Sequence, residues 1–142
     1  MRKEIVPADE KCAGALNIEI GEQLVQLTTL RSVDGIALTY HDAYLPAKHF
    51  PTLVDAAVES LGLEKPHVWQ MIEKMGFTMA NIVERLKAQA ASETIAGPLK
   101  VDVGSPIFYG ERVLYSEEGT PLKYAECYNR GDLYSLSVVL VK

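Results

Sequence analysis

Between residues 22 and 33 the chain alternates. Val25, Leu27, Thr29 and Arg31 fall on one side, and Leu24, Gln26, Thr28 and Leu30 on the other. A period of two predicts a strand over Glu22–Val33. Asp34-Gly35 then offers the residue pair that tolerates positive φ in a two-residue hairpin turn. Ile36–Leu45 returns as the second strand and stops at Pro46. The last third repeats the theme without repeating the residues. Two extended runs from Pro106 flank Glu117-Glu118-Gly119-Thr120, and Asn129-Arg130-Gly131-Asp132 marks another reversal before the apolar run Leu133–Val141. The pattern predicts a three-stranded meander. One face of its middle strand would carry Leu122, Tyr124, Glu126 and Tyr128, a carboxylate among aromatic rings.

Other segments have the helical period. Pro7–Leu16 is predicted as a short helix with Asp9 and Glu10 in its first turn, where the dipole favours acids. Thr52–Leu61 carries an apolar stripe of Leu53, Val54, Ala57 and Leu61, with Gly62 as its stop. His67–Met75 is a further predicted helix, opened by Pro66 and closed by Gly76. Phe77–Ala91 satisfies both periods. Ala80, Ile82, Glu84, Leu86 and Ala88 alternate as a strand face would, but Glu84–Ala90 is rich in helix formers, and local physics favours helix. Ser92–Ala96 reads as a helical turn ending at Gly97-Pro98. Strands interrupted by helices predict an α+β domain, with an antiparallel sheet covered on one face.

At 142 residues the chain fits one domain with a core of its own. Its net charge of −5 and scattered Lys and Arg argue against direct grip on a nucleic-acid backbone. No run is long and apolar enough to span a membrane, and no signal-peptide core follows Met1-Arg2-Lys3-Glu4. Cys12 and Cys127, far apart in sequence, are expected as buried or half-buried free thiols in a reducing cytoplasm, with a disulfide as the alternative.

No nucleophile elbow, zinc-protease motif, phosphate-cradling glycine loop or Cys-x-x-Cys is present. No catalytic set, metal site or cofactor is expected. His41, His49 and His67 have no spacing that converges on a metal. His41 and Asp42 are adjacent in a strand and so point to opposite faces, which excludes a direct dyad. Arg31 on an otherwise apolar face is either a snorkelling edge residue or an anion anchor. The amino end of the predicted helix at His67-Val68-Trp69 would present unpaired N–H groups to an anion, or be filled by water or a cap. Glu126 between Tyr124 and Tyr128 must be solvated, paired or reserved for a ligand donor; pairing with Arg31 across the sheet is the alternative to a ligand.

The order of motifs resembles the UTRA domain, the effector-binding half of GntR-type transcription regulators of the HutC subfamily. The resemblance is carried by Leu16-Asn-Ile-Glu-Ile-Gly-Glu-Gln-Leu-Val, Leu30-Arg31 before Val33-Asp34-Gly35, Ala43-Tyr-Leu-Pro46 and Phe50-Pro51-Thr-Leu. It continues through Ala96-Gly-Pro-Leu99-Lys-Val101-Asp-Val-Gly104-Ser-Pro106-Ile, Gly119-Thr-Pro-Leu and Tyr128-Asn-Arg-Gly-Asp-Leu-Tyr134. The resemblance implies a chorismate-lyase-like fold, with about six mostly antiparallel strands and helices packed on them. It also implies that Phe77–Ala91 is a long strand, against its local propensity.

The family's winged-helix DNA-binding domain is absent from residues 1–142, so DNA would be reached only through that missing domain. Arg31 matches the family's strand-one arginine, which contacts the effector's anionic group; Thr29 stands where many members have a second arginine. His67, Val68 and Trp69 stand where sugar-phosphate binders have Ser-x-Tyr. The backbone N–H groups remain and the hydroxyls do not, which leaves room for a carboxylate or a heterocycle. His41 stands where a polar strand-two residue faces the ligand, and Glu126, Tyr128 and Tyr134 match positions that close the pocket. The implied protein is a cytoplasmic homodimer sensing a small anionic or polar metabolite. A chorismate-lyase-like enzyme on the same fold is the alternative, and a dimerisation module with a vestigial pocket is a third reading.

Overall fold

The computed structural model describes residues 2–56, 70 and 72–142. Six strands form one sheet: β1 (Arg2–Pro7), β2 (Gln23–Val33), β3 (Ile36–Pro46), β4 (Met79–Ala90), β5 (Pro106–Ser116) and β6 (Pro121–Arg130). Their order across the sheet is β1-β2-β3-β6-β5-β4, and every neighbouring pair is antiparallel. Among the described residues α1 (Glu10–Leu16), α2 (Pro51–Asp55) and α3 (Glu93–Leu99) accompany them, with further helical residues at 70 and 72–74.

The first hairpin forms where the sequence places it. Asp34 at φ 51° and Gly35 at φ 78° make the left-handed pair that matches the twist of β2 and β3. The second hairpin, β5–β6, turns at Glu117–Thr120, where Gly119 has φ 83°. α1 starts later than predicted. Pro7 closes β1, and Asp9 caps the helix from outside it, accepting a hydrogen bond from the Cys12 N–H at 2.8 Å. β1 itself carries no sequence expectation; its Arg2-Lys3-Glu4 start lacks a strand pattern.

Phe77–Ala91 is settled as a strand over Met79–Ala90. Tertiary pairing outweighs helix propensity here. β4 pairs along its length with β5, setting Glu84 opposite Arg112 and Lys87 opposite Tyr109. The Arg112 Nε donates to Glu84 at 2.9 Å, and the Lys87 ammonium lies 5.4 Å from the Tyr109 ring centre. The predicted third strand of the meander does not form. β6 is already flanked by β3 on one edge and β5 on the other, so no edge remains for Leu133–Val141. Instead Gly131 N–H donates to the Pro106 carbonyl, and 131–133 form a turn.

Two helical expectations change. α2 ends at Asp55, with Ala56 extended; residues 57–61 of the predicted Thr52–Leu61 helix lie outside the described residues. α3 runs through Gly97-Pro98 to Leu99 rather than stopping there. Of the predicted helix His67–Met75, Gln70 and residues 72–74 are helical; most of the remainder lies outside the described residues.

Helices cover both faces, not one. α2 and Ile72 pack with Val25, Leu27, Ala43, Leu45 and Ala125. On the opposite face α1 packs with Leu24 and Tyr124, and α3 with Tyr40, Ile107 and Tyr128. Residues directly opposite in an antiparallel sheet share a face, so the pairing register assigns every strand side chain to one side or the other.

Candidate functional site

Arg31 lies opposite Thr39, Thr39 opposite Asn129, and Asn129 opposite Phe108. The next row on the same face is Thr29, His41, Cys127, Gly110 and Leu86. Arg31 and His41 are thus diagonal neighbours, with Cα atoms roughly 7–8 Å apart by sheet geometry. Thr29, Thr39, Cys127 and Gly110 contribute small side chains to this floor, and Asn129, Phe108 and Leu86 larger ones. Gly110 is closely approached there: a Cβ would meet Leu86 Cδ2 at 3.0 Å and Glu84 Oε1 at 3.3 Å, so those side-chain ends would have to shift.

Fixed polar groups border this floor. Thr39 Oγ1 donates to Asn129 Oδ1 at 2.8 Å, and Asn129 Nδ2 donates to the Phe108 carbonyl at 3.0 Å. The Arg112–Glu84 pair stands at its β4 side. Tyr134, just past β6, sets its ring 5.4 Å from Phe108. Arg31 is exposed, and among the described residues it has no ion pair. A guanidinium so placed can donate to a carboxylate or phosphate in bidentate fashion.

Glu126 does not join this group. It lies three residues before Asn129 on a continuous strand and opposite Asp42, which puts it on the other face. Tyr128 shares that opposite face. The expectation that Arg31 and Glu126 line one cavity is therefore corrected, as is their pairing across the sheet. The carboxylate is only 6% exposed and is fully engaged. Lys11 Nζ, from α1, donates to both its oxygens at 2.9 Å, Tyr109 Oη donates at 2.5 Å and Tyr128 Oη at 3.2 Å. Its strand neighbour Asp42 accepts from Thr28 Oγ1 at 2.5 Å and from Gln26 Nε2 at 3.3 Å.

This network holds the phenols protonated. Burial, and then the Glu126 charge, raises Tyr109, Tyr124 and Tyr128 well above the ordinary tyrosine range. Desolvation pulls Lys11 down, but its hydrogen bond and ion pair with Glu126 prevail and leave it raised. A buried carboxylate with a cation and two hydroxyl donors is satisfied without a ligand. The arrangement fastens α1 to the sheet.

His67, Val68 and Trp69 lie outside the described residues. Cys12 and Cys127 are both buried and form no disulfide, as expected. Among the described residues no group of His, Cys, Asp and Glu is disposed to hold a metal ion, and no helix is long and apolar enough to cross a membrane. Sequence reasoning missed Lys11, Asn129 and the Arg112–Glu84 pair. The Lys11–Glu126 contact spans 115 positions and has no local signal.

Comparison with known proteins matches residues 1–135 to the UTRA domain. The HTH-type transcriptional repressor PhnF of Mycolicibacterium smegmatis is 24% identical over 133 residues, covering 94% of this chain and 52% of the repressor. The chain spans about half the length of this relative. The crystal structure of the PhnF effector domain superposes with a TM-score of 0.87 at 22% identity, covering 99% of this chain and 84% of that one. A GntR-family regulator from Enterococcus faecalis V583 gives a TM-score of 0.86 at 18% identity, covering 98% and 96%. These two likenesses establish the fold, which is chorismate-lyase-like.

Proposed function

The chain belongs to the UTRA domain family, and from that premise we propose that residues 1–142 form one effector-sensing domain of a GntR-type transcription regulator of the HutC subfamily. The domain binds a small anionic or polar metabolite on the Arg31 face. Occupancy biases a winged-helix DNA-binding domain outside these residues, within a cytoplasmic homodimer, by favouring one of two arrangements. Arg31 holds the anion, His41 a polar group of the ligand, and Tyr134 borders the site with Phe108. His67, Val68 and Trp69 remain the proposed contacts from the loop side.

The observation that carries this reading is the placement of Arg31, exposed and without an ion pair among the described residues, diagonally beside His41 on one face of the sheet. The relatives support a sensor rather than an enzyme, because they are named as transcriptional regulators. The chorismate-lyase-like alternative is not supported by them.

A thermal-shift screen of small carboxylates, amino-acid breakdown products and phosphosugars tests the proposal. Stabilisation by one class, absent in Arg31→Ala, is expected. Hits that stabilise Arg31→Ala equally would remove the anion role. No hit in a broad screen would favour a dimerisation module, and turnover of chorismate, followed by absorbance, would restore the enzyme.

A further inference from the structure

The sheet sorts its charges by face. On the Arg31 face the strands place Lys3, Arg31, Arg112 and Lys123, with His41, against a single acid, Glu84. The other strand acids, Glu4, Asp42, Glu111 and Glu126, lie on the opposite face. The chain as a whole carries a net charge of −5. A basic face on an acidic chain draws an anion to that side of the molecule.

The one acid is already taken. Arg112 Nε donates to Glu84 Oε1 at 2.9 Å. That same oxygen lies 3.3 Å from where a Cβ on Gly110 would stand, so the pair leans over Gly110, in the row of His41 and Cys127. The charge of Arg112 also interacts with Cys127 and Tyr134, which lie towards the Arg31 row. Glu84 engages only the Nε of Arg112. Among the described residues the two Nη groups have no acceptor, and the side chain is 29% exposed. The amide of Asn129 is engaged at both ends, by Thr39 and by the Phe108 carbonyl. A ligand ammonium would find no open carboxylate on these strands, whereas a second anionic group would find a guanidinium.

The register sets the span. Gly110 and His41 share a row, two strands apart, with Cα atoms roughly 10 Å apart by strand spacing. Arg31 stands diagonal to His41. We infer that the site holds a ligand with an anionic group at each end: Arg31 grips one, the Nη groups of Arg112 over Gly110 grip the other, and the His41–Cys127 row lies between. The ligand class is a short-chain dianion without an ammonium, of which a dicarboxylate is the simplest case. This inference deepens the sensor reading above and rests on it. Glu84 acts as a selectivity residue, holding Arg112 in place and denying a carboxylate to amines.

Calorimetric titration of the chain with glutarate, adipate, butyrate and γ-aminobutyrate tests it. One of the dicarboxylates is expected to bind about tenfold or more tighter than butyrate, and γ-aminobutyrate no tighter than butyrate. Arg112→Gln combined with Glu84→Gln removes both charges and strands neither, so its circular dichroism melt should stay close to that of the wild type. In that variant the advantage of the dicarboxylate should shrink to within about twofold, with butyrate binding, held by Arg31, unchanged. Glu84→Gln alone frees Arg112 and should tighten the dicarboxylate. The inference is overturned if butyrate matches the dicarboxylates in wild type, if γ-aminobutyrate binds more tightly than they do, or if none of the probes binds. It is overturned too if the double variant weakens both kinds of acid by one factor, the mark of a merely structural pair. Butyrate binding that is lost in Arg31→Ala, with no preference for a dicarboxylate, would leave the sensor reading standing and remove only this inference.

Discussion

Lys11→Met isolates the electrostatics of the Glu126 network. The substitution keeps the aliphatic stem and removes the ammonium that donates to both Glu126 oxygens. Stripping the partner from a fully buried ion pair costs about 3–5 kcal/mol. Here the Glu126 side chain is 6% exposed but that of Lys11 is 52% exposed, so water screens the pair from one side. Two phenols also continue to donate to the carboxylate. The discounted cost is about 1–2 kcal/mol, a melting-temperature drop of roughly 3–8 °C for a chain of this size. Urea unfolding followed by circular dichroism measures it. Glu126→Gln removes the stranded charge, so the double variant should lose about 1 kcal/mol less than the sum of the single losses. A Lys11→Met chain as stable as wild type, or strict additivity, would refute the claim that Glu126 is a structural carboxylate held by α1.

Three further outcomes follow from the same structure. Stability should fall as pH rises above about 10, because unfolded tyrosines and lysines release protons there while the raised folded groups Tyr109, Tyr124, Tyr128 and Lys11 retain theirs; an alkaline denaturation series should show a shallower fall in Glu126→Gln. Burial, with Asp9 beside it, pushes the Cys12 thiol up to about 12, so a thiol reagent at pH 8 should label Cys12 far more slowly in the native chain than in urea. Lys3 Nζ donates to the carbonyls of Leu53 and Val54 at 3.0 Å, and to that of Ala56, closing the end of α2. Lys3→Met should cost about 1–2 kcal/mol and speed hydrogen exchange in α2 without affecting α1.

The two hairpins were legible because each is a local event: alternation on either side of Asp34-Gly35, and again around Gly119. β4 was not legible from its own residues. Glu84, Arg85, Leu86 and Lys87 are good helix formers, and only the pairing with Arg112 and Tyr109 on β5 makes them a strand. The resemblance to a family supplied what propensity did not. The absent third strand of the meander has the same origin, since occupation of both β6 edges is a property of the whole sheet.

The site divides in the same way. Alternation correctly grouped Tyr124, Glu126 and Tyr128, and separately grouped Thr29 with Arg31. It cannot relate the two groups, because that relation passes through the register of β3 against both β2 and β6. A shift of one residue in either pairing would have put Arg31 and Glu126 together. The observed register separates them, and α1 supplies the cation that Arg31 would otherwise have provided.

The most direct test of the account is therefore a comparison of the two faces with one ligand. The affinity of a screening hit is measured by calorimetry on wild type, Arg31→Ala and Tyr128→Phe. If the Arg31 face binds and the Glu126 face only builds, Arg31→Ala weakens binding by about tenfold or more, and Tyr128→Phe leaves it within about twofold. Binding lost in Tyr128→Phe and kept in Arg31→Ala would place the effector on the wrong side of the sheet and contradict the account.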